Sequence, residues 1–337
     1  IAIVHIATYA PRSGLRAAGE ARLEAWTKIL ERGLTTAAYL SLYALGVTSV
    51  VAYATAFLFG ALFGLFFALL WVRKTLRIYV GRTGGQGDMG EAWLNNRTLL
   101  LQALPFAITL GVLPYVVRIE KFIVGLELGV DSAALFHVAQ LAWLAGLVIP
   151  QALRAALLPV LGKVRHHPEE FYREMKASFD ICLGLLPVGI FAGAGIVKLF
   201  LPLAFPSQYL DGSLGASAVD LFVVLLLGWC FTLLATPTYT ALQAGLHPWR
   251  FTFFIVIVVG FSAAVGFAFI GWQADEGLTE GLFAAVYAST LSALFALLAS
   301  IHLSGSWHLV LERGTEWLVA VSCATLACYG LLNGTLF

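Results

Sequence analysis

The chain has 337 residues, of which 60% are hydrophobic and only 12% charged, about half the charge of a soluble globular protein, and its mean hydropathy is +0.88. This composition excludes an ordinary soluble domain and points to an integral membrane protein. A net charge of +1 and a pI near 7.9 give no reason to expect a nucleic-acid partner.

A bilayer-spanning helix needs about 20 mostly apolar residues. That criterion predicts nine spans, at 29–49, 51–72, 99–120, 133–160, 179–203, 217–243, 251–271, 281–303 and 316–336. A β-barrel would require alternating polarity, which runs such as FTFFIVIVVGFSAAVGFAFI lack. The predicted fold class is therefore an all-α polytopic membrane protein of about nine transmembrane helices.

Ahead of the first span, residues 13–32 read as an amphipathic connector at the membrane surface, a solvated link with anionic lipid as a lesser alternative. This segment carries Arg16, Arg22, Lys28 and Arg32 and follows Arg12. The 73–98 connection carries Arg73, Lys74, Arg77, Arg82 and Arg97, and the 161–177 connection carries Lys163, Arg165, Arg173 and Lys176. The turns near 244–250 and 304–315 add Arg250 and Arg313. Together these are sixteen of the twenty basic residues, and nine spans put all five connections on one face. The opposite connections, GVTSVVA, GLELGVDS, PSQYLDGSLGASAVD and QADEGLTEG, contain no Lys or Arg. The positive-inside bias makes the basic face cytoplasmic, with the amino-terminal segment inside. Trp71, Tyr209, Trp249, Trp272 and Trp317 fall at predicted span ends, as interfacial anchors do.

In the third span, RIEK places Arg118, Glu120 and Lys121 at the outer end. Glu120 shares a helical face with Gln102 and Thr109, while Arg118 and Lys121 point about 160° and 100° away. The fourth span carries a one-sided polar stripe of His137, Gln140, Gln151 and Arg154. Polar groups at membrane depth face a bundle interior or a cavity. Two such faces suggest a hydrated cavity between neighbouring helices, with interhelical hydrogen-bond glue as the alternative. Arg154 either snorkels toward the interface or presents its fork to a phosphate. Lys198 has the same two options. Asp180 and Asp220 sit at predicted helix starts, where the helix dipole favours an acid; coupling to an ion is the second reading for each.

Prolines interrupt several spans, at Pro105, Pro114, Pro150, Pro187 and Pro237. Each removes a helix hydrogen bond that a membrane helix must satisfy elsewhere. Cys182, Cys230, Cys323 and Cys328 lie in apolar runs without ligand spacing and read as small core residues. HHPEEFYREMK (166–176) places His166 and His167 side by side, a solvated loop rather than a metal site. GRTGGQGDMG (81–90) lacks the GK[ST] of a phosphate loop, and no hydrolase triad or zinc motif occurs. No cofactor, metal or nucleotide is expected, and no enzymatic activity.

The ordered segments resemble the polysaccharide flippases (Wzx-type, O-antigen-like) of the multidrug/oligosaccharidyl-lipid/polysaccharide (MOP) exporter superfamily. The resemblance is carried by LPFAITLGVLPYVVRIEKFIVGLELGVDSAALFHVAQLA, by ALLPVLGKV with Pro159, by LAFPSQYLDGSLGASA, by ALQAGLHPWR and by RLEAWTKILERG, over about 20–300. Glu120 stands where the family commonly has Asp, Phe136 where it has Tyr, and Pro206 where it has Gly.

Such transporters have twelve to fourteen helices in two lobes of six. On that template the chain, which opens on Ile1 and closes on TLF, is expected to be a fragment. Residues 1–28 would be the connector, 29–72 the last two helices of the first lobe and 73–98 the inter-lobe loop. Residues 99–303 would form the six-helix second lobe and 304–337 an additional C-terminal helix.

The resemblance implies flipping of a polyprenyl-(pyro)phosphate-linked glycan across the inner membrane by alternating access. A proton or sodium gradient would drive it, and the polyprenyl tail would stay in lipid. The expected cavity residues are Gln102, Glu120, His137, Gln140, Gln151 and Arg154, with Arg154 at the phosphate. Glu120, Asp180 and Asp220 are the coupling candidates. A multidrug cation antiporter of the same superfamily, or a polytopic glycan polymerase or ligase, are the alternatives.

Overall fold

The computed structural model describes residues 20–82, 111–245 and 247–332, with isolated positions between 4 and 15 and between 104 and 109. Among the described residues every regular element is a helix. Six helical segments are long and apolar enough to cross a membrane: Val50–Thr75, Val130–Val164, Pro168–Ala204, Ala218–Ala244, Pro248–Ala274 and Leu278–Ser304. The chain is an all-α, multi-pass membrane protein. Of the other three expected spans, 99–120 is described only at 104–105, 108–109 and 111–120, and includes a 3-10 segment. The run 29–49 falls mostly within a helix that also carries Glu24, Lys28, Glu31 and Arg32, and the last occupies a helix of 19 residues.

The chain divides into two compact units, Ile1–Asn95 and Asn96–Phe337. In the first, α1 (Ala21–Ala44) and α2 (Val50–Arg82) pair as a hairpin. Glu24, Thr27, Glu31 and Thr35 recur at helical spacing along α1 and are all buried. They meet α2 at Gly60 and Gly64, where a Cβ would collide with the Thr35 hydroxyl and the Glu31 side chain. A buried carboxylate needs a partner, and Glu31 has one in the buried Arg12 guanidinium.

The second unit begins with a 3-10 segment, Leu113–Val117, and continues through α3 (Ile119–Glu127), α4 (Val130–Gly146), α5 (Val148–Val164) and α6 (Pro168–Ala204). It then runs through α7 (Ala218–Ala244), α8 (Pro248–Ala274), α9 (Leu278–Ser304), α10 (Trp307–Glu312) and α11 (Gly314–Leu332). Gly129, at φ +91°, makes the tight turn between α3 and α4 that a side chain would strain. The sequence of α7 is apolar on every side, the mark of a core helix. It packs against α4, α5, α6, α9 and α11 and is the most buried of the six spans. The other spans keep one apolar face outward, as at Val188, Phe253, Ile257 and Leu298, which a bilayer solvates.

At two proline sites a carbonyl that proline frees is satisfied from another helix. Pro150 cannot donate to the Gly146 carbonyl, and the helix breaks at Leu147 between α4 and α5. The Trp229 indole on α7 donates to that carbonyl instead, at 2.9 Å. Pro237 likewise frees the Leu233 carbonyl in α7, and the Cys182 thiol on α6 donates to it at 3.3 Å. Each freed carbonyl thus gains a donor from a neighbouring helix, which is what a low-dielectric surrounding demands. Trp229 reaches its position because Gly189 on α6 offers no Cβ; one there would overlap the indole ring.

Candidate functional site

A cavity of about 200 Å³ lies among α4, α5, α7, α8, α9 and the 3-10 segment. Its one charged lining residue is Arg154, from α5. The guanidinium donates from Nη1 to the Tyr239 hydroxyl at 3.3 Å and stands 5.2 Å from the centre of that ring. Tyr239 is held on α7 by edge-to-face contacts with Phe251 and Phe254, at 4.9 and 5.8 Å. Among the described residues no carboxylate pairs with Arg154, which is half-buried. Gln151 lies one turn away on the same helix and also lines the cavity.

Among the apolar side chains that line the rest of the cavity are several hydroxyls, including Thr232 and Thr236 on α7, Ser262 on α8 and Ser292 on α9. Thr236 donates to the Thr232 carbonyl at 3.0 Å and Ser292 to the Ala288 carbonyl at 2.8 Å. Such back-bonding within a helix occupies the proton and leaves the oxygen able to accept. Ser262 is fully buried and its hydroxyl has no protein partner. Trp143 also lines the cavity, and its indole nitrogen is buried without a partner too.

Glu120 stands in the first turn of α3 with 1% exposure, and its Oε2 has no hydrogen-bond partner. Its level in the bundle follows from two contacts between the 104–127 stretch and α8. The Thr109 and Thr252 hydroxyls are 2.9 Å apart, and a Cβ on Gly266 would strike Ile123. Both pairs share an offset of 143 residues, so the two segments run parallel and in register. Glu120, one turn before Ile123, therefore falls at the level of Ala263 on α8, and it does not itself line the cavity. Neither Arg118, which is exposed, nor Lys121, half-buried, forms an ion pair with it among the described residues.

The structure divides the remaining candidates. Gln151 and Arg154 are together in the cavity, but His137 and Gln140 do not line it, although Trp143 of the same helix α4 does. Gln140 is buried and His137 half-buried, with its Nδ1 unpartnered. Gln102 lies outside the described residues. Asp220 is in the first turn of α7, behind the Ser217 hydroxyl that accepts from the Val219 amide at 3.2 Å. Asp180 is not at a helix start: α6 begins at Pro168, a residue whose fixed φ suits the first turn, so Asp180 lies three turns inside. There it binds the Arg313 guanidinium, at 2.5 and 3.3 Å. This pair ties α6 to the C-terminal helices and leaves Asp180 outside the cavity.

Tyr239, Ser262 and Trp143 are site residues the sequence reading missed. The polar ATPTYT run within an apolar span was the available signal for Tyr239; a lone Ser and a lone Trp offered none. Compared with protein-family profiles, curated proteins and solved structures, the chain matches none.

Proposed function

We propose that the chain is part of a transporter that flips a lipid-linked glycan, bound through its phosphate, between the leaflets of the inner membrane. The observation that carries this reading is Arg154: a guanidinium in a membrane cavity that also holds several hydroxyls, with no carboxylate among the cavity's lining residues. A cationic group at such depth is costly unless it is paired, and a phosphate supplies the missing partner bidentately. The resemblance to the MOP superfamily points the same way and supplies the alternating-access scheme with nine spans in this chain. Glu120, buried and without an ion-pair partner among the described residues, is the group that would take up a proton or sodium ion in exchange. The cation-antiporter reading is disfavoured because its cavity should be acidic, and the glycan-polymerase reading because the loops on the acidic face are short.

The test is depletion of the protein in its host, followed by measurement of which leaflet holds the lipid-linked glycan. Accumulation on the cytoplasmic side is expected. An unchanged distribution with altered sensitivity to cationic drugs would overturn the proposal in favour of the antiporter.

A further inference from the structure

A second cavity, of about 470 Å³, adjoins the first between α4, α6 and α7. All its lining residues are apolar. Small residues make the groove, among them Ala145 and Gly146 on one side and Ala192 and Gly193 on the other. It opens toward the lipid-facing surface, where Val188 and Phe200 are 62% and 64% exposed. Its floor is fixed by Trp229, through the indole bond to the Gly146 carbonyl.

The groove and the Arg154 cavity share one residue that matters here. Trp143 lines both. It is 7% exposed, and its indole nitrogen has no protein partner. One of the two cavities it lines holds a guanidinium and hydroxyls; the other is lined by apolar residues and reaches the exposed apolar surface. An unpartnered buried N–H is costly and unusual in a settled core. A site with one polar and one apolar compartment, joined at a donor, has the chemistry of an amphiphile with an anionic head and a long chain.

We propose that the α4–α6–α7 groove seats the first isoprene units of a polyprenyl phosphate whose head occupies the Arg154 cavity, with Trp143 at the junction donating to the phosphate end. This rests on the flipping reading above, and changes one part of it: the proximal tail is held by protein rather than left in bulk lipid.

The experiment uses the chain in lipid nanodiscs with a long-chain polyprenyl phosphate bearing a diazirine near its head. Irradiation should label peptides 141–149 and 188–205, and unlabelled polyprenyl phosphate should compete while phosphatidylglycerol does not. Ala192→Phe, at an exposed small position of the groove, should cut that labelling about tenfold. Leu318→Phe, on the exposed face of α11, should leave it unchanged. Equal competition by phosphatidylglycerol would mean an ordinary acyl chain fills the groove, and would overturn the proposal. Labelling elsewhere would overturn it too, while a positive leaflet measurement would leave the flipping reading standing. Selective labelling of the groove with a negative leaflet measurement would keep the tail site and remove the flippase.

Discussion

Arg154 is a base and Glu120 an acid, and among the described residues neither has an ion-pair partner. Arg154→Ala should reduce flipping about 10- to 100-fold, the loss of a charge-assisted hydrogen bond of about 1.5–3 kcal/mol, with Arg154→Lys retaining part of the rate because only the fork is lost. An Arg154→Ala protein that flips normally removes the phosphate assignment. Glu120→Gln keeps shape and removes the titratable oxygen. It should abolish gradient-driven accumulation while leaving downhill exchange; a variant still driven by the gradient would clear Glu120 of coupling. Cys182 acts differently. Its thiol satisfies the carbonyl freed by Pro237, so Cys182→Ala should lower stability by about 1–3 kcal/mol, the cost of an orphaned buried acceptor. Cys182→Ser, which restores a donor, should recover most of it in thermal unfolding.

At the scale of elements, proline and glycine determine how helices meet. The α4–α5 break, the Trp229 bridge and Gly189 form one unit: Pro150 frees the carbonyl, Trp229 fills it, and Gly189 makes room for the ring. Trp229→Phe should cost about 1–3 kcal/mol for the unpaired carbonyl. Gly189→Ala should cost a similar amount by overpacking, about 1–3 kcal/mol. If the three positions act together, the Gly189→Ala and Trp229→Phe penalties will not add, and additive penalties in denaturation would refute the coupling. Sequence reading found each proline but could not say whether its carbonyl was satisfied, because the donors come from residues 51 and 83 positions away.

For the whole second unit, a polar clasp joins α6 to α10 and α11. Arg313 bridges Asp180 and Glu316, and Lys176 meets Glu312 at 3.2 Å. Tyr172 stacks on His308 with ring centres 5.1 Å apart. A hydrogen bond from the Tyr172 hydroxyl, with a second from Lys176, holds the Glu312 carboxyl below its ordinary range. A carboxyl lowered by folding stabilises the folded state above its unfolded pKa, and that contribution is lost as pH falls through the folded value. Docking of α11 should therefore be unchanged near neutrality and loosen only on acidification below the usual glutamate range. Hydrogen exchange of the α11 backbone amides, followed as pH is lowered, would report it; loosening that begins above neutral pH would contradict the assignment. The clasp lies in segments read as cytoplasmic from the distribution of basic residues. A cysteine at Lys163 should accordingly be labelled only from inside and one at Ser213 only from outside.

Composition and apolar run length alone determined that this is an all-α membrane protein, because a bilayer leaves the backbone no other way to satisfy its hydrogen bonds over such segments. The basic connections carried the expected orientation for the same kind of local reason. Arg154, Gln151 and Glu120 were legible as costly polar groups in apolar runs. What faces what was decided only by tertiary structure. Gln151 and Arg154 came to line a cavity that His137 and Gln140 do not. Asp180 found its partner in Arg313, 133 residues away. Tyr239, Ser262 and Trp143 joined the site through helix packing, which depends on long-range side-chain fit that no local pattern encodes.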